Sequence, residues 1–352
     1  MGKSDVLLRD PYGVKRIFYR PKGPHATSCR ALLKDEIPTL DPEGIRAAWG
    51  DVPESDRTCF DGIKAVPRGH RLAGHSGAWR IESVSSAPKA QARSDSTLSD
   101  APLVHVLVEA TTRALVGKRI ALALSGGLDS ALLLVLMKIA GVTPPPLYTL
   151  APKLRGYDES ERAERTAAHF GLELNKVPLT EKDFVAALPD TVAAAEVPLF
   201  NLHPVSKLLL ARHLASEGFD TVLTGDGADE VFSFTDRASY LPIVGAIMRS
   251  CGVELASPYL DPIVVARAAT LTLDAEKRPL RIIAEGEVPD ELVKEPKTPR
   301  LTPTMDLSTH WSDAQGAALA KTSGITMAIR DDRDQVCWTT LLLLAKSFGV
   351  VT

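Results

Sequence analysis

The sequence predicts an α/β fold: a parallel twisted sheet with helices on both faces over residues 101–352, preceded by a small β-rich unit over residues 1–84. Three observations carry this reading. Strand-like and helix-like segments alternate beyond residue 101, which is the pattern of a parallel sheet covered on both sides. Two loops rich in Gly and Asp each follow a strand directly, where ligands of such sheets sit. Between them and the N-terminal unit, residues 85–100 shift to Ser, Ala, Lys and Pro, a composition with little to pack, and are read as a linker.

Taken in order, the first 84 residues give short extended pieces at Arg16–Tyr19, Arg71–Leu72 and Trp79–Ile81, separated by Pro, Gly and Asp turns, and a helix over Pro42–Trp49. Beyond the linker come a helix from Ala101 to about Val116, a strand over Arg119–Leu124 and a helix over Asp129–Ala140. A strand at Leu147–Leu150, a helix at Glu159–Phe170 and a strand at Leu174–Val177 continue the alternation, followed by a helix at Pro204–Glu217 and a strand at Thr221–Leu223. The longest apolar run, Ala131–Val142, is broken by Lys138 and is too short to span a bilayer.

Composition narrows the partners. A chain of 352 residues that is 45% hydrophobic can bury a large core. Its net charge of −3 leaves no basic field for nucleic acid, so a small soluble partner is expected, with no nucleic-acid and no membrane partner. Cys29, Cys59, Cys251 and Cys337 are scattered without CxxC spacing, as ordinary thiols of a reducing compartment would be. The N-terminus does not read as a signal peptide, and a cytoplasmic location is the expectation.

Ser125-Gly126-Gly127-Leu128-Asp129-Ser130 follows the first strand of the alternating region and opens a helix. Two glycines let the backbone wrap an anion, and the helix N-terminus offers unpaired N–H groups and a partial positive charge. The hydroxyls of Ser125 and Ser130 add donors. The GxxxxGK[ST] phosphate loop is missing, and Asp129 stands in an acidic place instead. A carboxylate beside phosphates makes sense with a hard divalent cation between them, which predicts magnesium. The plainer alternative is a strand-to-helix turn whose Asp and Ser are caps. The second loop, Thr224-Gly225-Asp226-Gly227-Ala228-Asp229-Glu230, also ends a strand and so lies on the same rim.

SGGLDS resembles the pyrophosphatase loop of the N-type ATP pyrophosphatases, and TGDGADE resembles the [ST]G[ED]G[SAG]DE signature of asparagine synthetases and β-lactam synthetases. The resemblance implies an adenine nucleotide α-hydrolase-like sheet, ATP and Mg2+ as cofactors, and magnesium held by Asp129 and Asp229. It implies a nucleotide site formed by Leu124, Ser125, Gly126, Gly127, Asp129 and Ser130, with adenine near Leu150 and Gly225. Asp226 corresponds to a carboxylate beside the attacking amine, and a pKa raised by burial or by a neighbour such as Asp261 would suit it to accept a proton. Glu254–Asp261 resembles ExRxPFLD with Ala256 for arginine; Lys277 with Leu280-Arg281 resembles Kxx[LI]R; Val288–Lys297 resembles LPxxIxxRxK with Glu295 for arginine. By that likeness Lys277 and Lys297 steady the departing pyrophosphate, as preorganised cations would, although a lysine is ordinarily a solvated surface residue.

Arg9–Tyr19 and Thr58–His70 resemble two motifs from the second half of the glutaminase domain of full-length asparagine synthetases, whose nucleophilic cysteine has no counterpart at Gly2. The domains are therefore read as a degenerate glutaminase-like unit (1–84), a linker (85–100) and a synthetase domain (101–352). The expected function is an ATP-dependent, AMP-forming amide ligase of secondary metabolism. It would adenylate a small-molecule or peptide carboxylate and pass the acyl group to an amine or ammonia, as a homodimer or with a partner subunit. Arg237, Tyr240 and His203 are candidates for lining the substrate pocket. A non-catalytic scaffold is the alternative; modification of tRNA by a related loop enzyme is weakened by the net negative charge.

Overall fold

The computed structural model describes residues 5–50, 56–84, 102–154, 156–233, 240–295 and 304–351. The linker at 85–100, Arg237 and Lys297 lie outside the described residues. Strands are β1 (Asp5–Leu8), β2 (Phe18–Tyr19), β3 (His25–Ala26), β4 (Lys64–Ala65), β5 (His70–His75), β6 (Ala78–Ser83), β7 (Ile120–Ala123), β8 (Leu147–Pro152), β9 (Leu174–Leu179), β10 (Thr221–Leu223) and β11 (Glu254–Ala256). The first six make two antiparallel sheets in the orders β1-β5-β6 and β3-β2-β4. The last five make one parallel sheet in the order β11-β10-β7-β8-β9.

Side chains along the parallel strands alternate between two cores, as the two-residue period of a strand requires. Ile120 and Leu122 of β7, Leu147 of β8 and Leu223 of β10 face the helices Leu103–Ala114, Leu128–Ala140, Pro262–Ala268 and Arg278–Ala284. Ala121, Tyr148 and Val222, one residue along, face the helices Glu181–Ala195, His203–Ser216, Tyr240–Ser250 and Asp332–Ser347. Helices on both faces of a parallel sheet are the architecture that the alternation predicts. The apolar run beginning at Ala131 is a helix buried nearly all round, which suits the centre of a core. Its Lys138 leaves the core to meet Glu287 at 2.8 Å. Among the described residues no helix is long and apolar enough to cross a membrane.

Several elements have no counterpart in the sequence expectations. The helix Glu181–Ala195 starts at a reciprocal cap in which the Thr180 hydroxyl accepts from the Asp183 N–H and the Asp183 carboxylate accepts from the Thr180 N–H. β11 is short and falls inside the Glu254–Asp261 motif. The helix Asp332–Ser347 is capped by Asp331 and buries Trp338 and Leu341–Ala345. Trp338 meets Trp49 at 5.4 Å between ring centroids, and Phe348 meets Phe60 at 4.5 Å. Phe18, Ile45 and Phe60 of the N-terminal unit thus share one core with Leu188 and Leu342.

The strand order places β7 between β8 and β10. From β7 the chain runs outward through β8 and β9, then returns to add β10 and β11 on the other side. The loops after β7 and β10 therefore diverge at the point where strand order reverses, and that crevice is where open α/β sheets bind ligands.

Candidate active site

The two loops touch at Gly225. A Cβ built there would stand 2.8 Å from the Ser130 nitrogen and 2.9 Å from the Asp129 carbonyl carbon, so a side chain would drive the loops apart. Gly126 has a φ of 74°, a left-handed conformation that glycine adopts without steric cost. The first loop closes on itself: the Ser125 N–H donates to Ser130 Oγ at 3.1 Å, and Ser130 Oγ donates to the Gly127 carbonyl at 3.1 Å. Ser130 is buried and its hydroxyl holds the turn. The helix Leu128–Ala140 that follows has no side-chain cap, which keeps its positive end available to an anion.

The Glu254–Asp261 segment fastens both loops from beneath. Tyr259, fully buried, donates to the Asp129 carbonyl at 2.7 Å, and Ser257 donates to the Asp226 carbonyl at 2.6 Å. Asp261 does not act as an acidic neighbour of Asp226. It caps the helix Pro262–Ala268 through the Ile263 N–H and pairs with Arg113 at 2.9 Å.

Asp129 and Asp229 converge on one cation. Lys277 Nζ donates to Asp129 Oδ1 and Oδ2 at 2.5 and 2.6 Å and to Asp229 Oδ1 at 2.7 Å. Burial is the largest single influence on Lys277 and favours losing its proton, but the two carboxylates together outweigh it and hold the ammonium above its ordinary range. Two carboxylates already gathered on one positive centre are a donor set that fits a hard divalent ion. Among the described residues no group of three or more His, Cys, Asp or Glu is so arranged. The pair alone suits magnesium, which commonly takes one or two carboxylates and completes its shell with phosphate and water.

Asp226 carries a different electrostatic assignment from the one its proposed role as proton acceptor asks for. Its Oδ2 accepts from Lys207 Nζ at 2.8 Å and from Thr224 Oγ1 at 3.0 Å, and its Oδ1 accepts from the Tyr240 hydroxyl at 3.1 Å. Burial, the largest single influence, would raise its pKa, but Lys207, the Thr224 hydroxyl and His203 together bring it below the ordinary carboxylate range. The expected upward shift is therefore corrected: this carboxylate is held ionised. Tyr240 and His203 do line the same cavity, and His203 lies between two phenols, Tyr157 at 2.7 Å and Tyr240 at 3.3 Å.

Lys207 supplies a prediction. Lys207→Met leaves Asp226 buried with hydroxyl partners but without its ammonium, and is expected to cost about 2 kcal/mol at pH 7. The wild-type carboxyl titrates lower in the folded than in the unfolded chain, so its contribution is full above about pH 4 and is lost as pH falls through the folded pKa. In the variant, burial acts without the lysine and the folded pKa moves upward, so stability declines as pH rises above about 4. Urea titrations between pH 4 and 7 should show the gap between the two proteins widening with pH; a constant gap would remove the charge pairing from the explanation.

Ser125, Gly127, Asp129, Asp226, Asp229 and Lys277 line a cavity of about 1170 Å3, together with Gly225. Leu124, Gly126, Ser130 and Leu150 lie outside that lining. Leu124 extends the pairing of β7 through its N–H to the Tyr148 carbonyl at 2.8 Å, and Leu150 packs against the core. The lining also includes Trp49, Arg57 and Cys59 of the N-terminal unit and Arg333 of the C-terminal helix. Arg162 also lines the cavity beside the first loop, where a Cβ on Gly126 would meet its Cβ at 3.1 Å; it pairs with Glu295 at 2.6 Å. Nothing in the helical pattern of Ser160–His169 singled Arg162 out. Arg281 binds the carbonyls of Val293 and Glu295 and so anchors the segment that leads toward Lys297.

Fold and site together define an α/β unit with a glycine-rich loop and an acidic pair at the switch point of its parallel sheet. Residues 103–244 match the asparagine synthase family model, and the chain is asparagine-synthase-like over that region. The amidase chry2 of Gibberella zeae is 27% identical over 259 residues, covering 66% of this chain and 38% of its own length. A glutamine-hydrolysing asparagine synthetase of Brassica oleracea is 26% identical over 196 residues, covering 48% of this chain and 31% of its own. The chain thus spans less than two fifths of the length of these curated relatives. Among solved structures, NMN synthetase from Francisella tularensis superposes with a TM-score of 0.33 at 13% identity, over 71% of this chain and 92% of that one.

Proposed function

We propose that this chain uses ATP to activate a carboxylate by adenylation, releasing pyrophosphate, and passes the acyl group to an amine or ammonia. The single observation that carries this reading is the meeting of the two loops at the switch point, with Asp129 and Asp229 gathered on one cationic nitrogen beside an uncapped helix N-terminus. Asp129 and Asp229 would hold magnesium, which when bound neutralises charge on the phosphates. The backbone of Ser125–Asp129 cradles the phosphates, and Lys277 and Lys297 supply positive charge for the leaving pyrophosphate. Arg162 adds a third cation next to the loop.

The amine enters from the far side of the cavity, where Asp226 is kept ionised by Lys207. A carboxylate with a depressed pKa is a poor base, and its use is to attract and orient the ammonium form of the amine; the ammonium gives one proton to solvent, its lone pair attacks the acyl carbon, the bond to AMP breaks, and the second N–H proton is released to solvent. Cys59 is pushed up to about 12 by burial and then by Asp41, and burial also raises Cys29, so neither of these two thiols is an activated nucleophile. We propose an amine from the substrate itself or from a partner subunit as the acceptor, in a biosynthetic pathway of secondary metabolism and in the cytoplasm. Residues 1–84, read as a degenerate glutaminase-like unit, then serve as a wall of the substrate cavity.

The test is release of pyrophosphate and AMP from the purified chain with ATP and Mg2+, across a panel of carboxylic acids with and without amines. The expected result is stoichiometric AMP and pyrophosphate with one class of acid. If calorimetry finds no ATP binding in the presence of Mg2+, the catalytic reading falls and a scaffold takes its place.

A further inference from the structure

Lys277 lies at the point where a metal site would be centred. Its Nζ meets three carboxylate oxygens within 2.7 Å, which matches the three N–H donors of an ammonium one to one. The side chain is 5% exposed, so this cation is buried against its partners and is not a mobile surface group. The backbone is shaped for it as well. Lys277 has φ 55° and ψ 44°, a left-handed conformation disfavoured for any residue with a Cβ, at the point where the helix Arg278–Ala284 begins.

We infer that Lys277 is an internal counter-ion that closes the acidic pair to free divalent cations, so that the chain takes its metal together with a nucleotide and not ahead of it. This rests on the proposed ATP site. Two carboxylates and one ammonium carry a formal charge of −1, which still attracts a cation, but a metal ion on the same oxygens must first expel a buried ammonium. A free metal ion offers that ammonium no new anion. A metal–triphosphate complex does, because its phosphate oxygens provide other acceptors as the carboxylates turn to the metal. Lys277 is in this sense a positioning residue: it holds Asp129 and Asp229 together in the arrangement that the incoming complex requires.

The experiment titrates Mn2+ into the full chain and measures free Mn2+ by electron paramagnetic resonance, with and without α,β-methylene ATP and against protein-free solutions of the same analogue, for the wild type, Lys277→Met and Lys277→Gln. Wild type is expected to bind Mn2+ weakly alone and at least about tenfold more tightly with the analogue. The two variants are expected to gain about tenfold or more in affinity for Mn2+ alone. Equal affinity of wild type and either folded variant for Mn2+ alone overturns the inference, as does wild-type binding of Mn2+ that the analogue does not improve. If both variants fail to fold by circular dichroism, the wild-type comparison decides by itself. Calorimetry with the analogue separates the two readings: absence of nucleotide binding defeats the proposed function, whereas nucleotide binding with unchanged Mn2+ affinities defeats only the counter-ion.

Discussion

Asp129→Asn is expected to lower carboxylate-dependent pyrophosphate release by about a thousandfold or more, equivalent to roughly 4 kcal/mol of transition-state stabilisation, while the chain stays folded. Asparagine keeps the shape of the side chain and one acceptor oxygen but removes one of the two negative charges. The backbone of the loop is untouched, because Tyr259 holds the Asp129 carbonyl and Gly225 packs against the main chain at 129–130. The fold should therefore survive, and circular dichroism and the melting temperature provide the control. What is lost is one of two carboxylates on a shared cation. Asp261→Asn is the contrasting change: that carboxylate caps a helix and pairs with Arg113, so pyrophosphate release should stay within about threefold of wild type. Comparable losses in the two variants would mean that Asp129 acts through folding and not through the reaction.

The sequence shows the sheet clearly because the chemistry of each strand is local. Ile120–Ala123, Leu147–Pro152 and Thr221–Leu223 are short, mostly buried apolar runs, each separated from the next by at least one helix-length segment. Both loops are legible for the same reason, since glycines and acids in SGGLDS and TGDGADE are contiguous. The region from 177 to 204 is less so. Pro189 lies within the helix Glu181–Ala195 and reads as a breaker, and the Thr180–Asp183 cap needs the helix to be suspected before it counts as a signal.

What the sequence leaves hidden is how distant residues pair. Lys277 is recognisable in its motif, yet its place between Asp129 and Asp229 depends on where the helix Arg278–Ala284 docks. Lys207 sits in a helix of low amphipathicity with nothing to distinguish it from a surface lysine, and it decides the protonation of Asp226. Local reasoning about Asp226 counts burial, which pushes its pKa up. The contacts that overturn that direction come from Lys207 and Thr224, and Tyr240 closes the site from a third segment. The sign of a pKa shift is a tertiary property.

Besides the shared apolar core, one residue that no motif marks ties the N-terminal unit to the rest of the chain. Glu196 ends the helix Glu181–Ala195 in a left-handed conformation, φ 53°, and is 4% exposed. Its two carboxylate oxygens accept from the Cys29 and Arg30 N–H groups at 2.9 Å each, which caps the short helix Cys29–Leu33 from the other side of the chain. The same carboxylate faces the buried Arg16 at 3.5 Å, whose guanidinium also reaches the Ala194 and Ala195 carbonyls. Burial pulls the pKa of Arg16 down, a sign of how unfavourable this cation is without an anion beside it, and Glu196 pulls it back up. Glu196→Ala removes the anion and both caps together and is expected to cost about 4 kcal/mol in urea denaturation. A second substitution separates carboxylate from backbone. Glu196→Gly loses the same contacts but relieves the left-handed strain, and should recover only about 1 kcal/mol of that loss. If the glycine variant instead matches wild type, the strain at Glu196 and not its charge is what matters there. If it stays close to the alanine variant, a buried ion pair helps hold the N-terminal unit to the parallel-sheet unit, and the cavity lined by both depends on it.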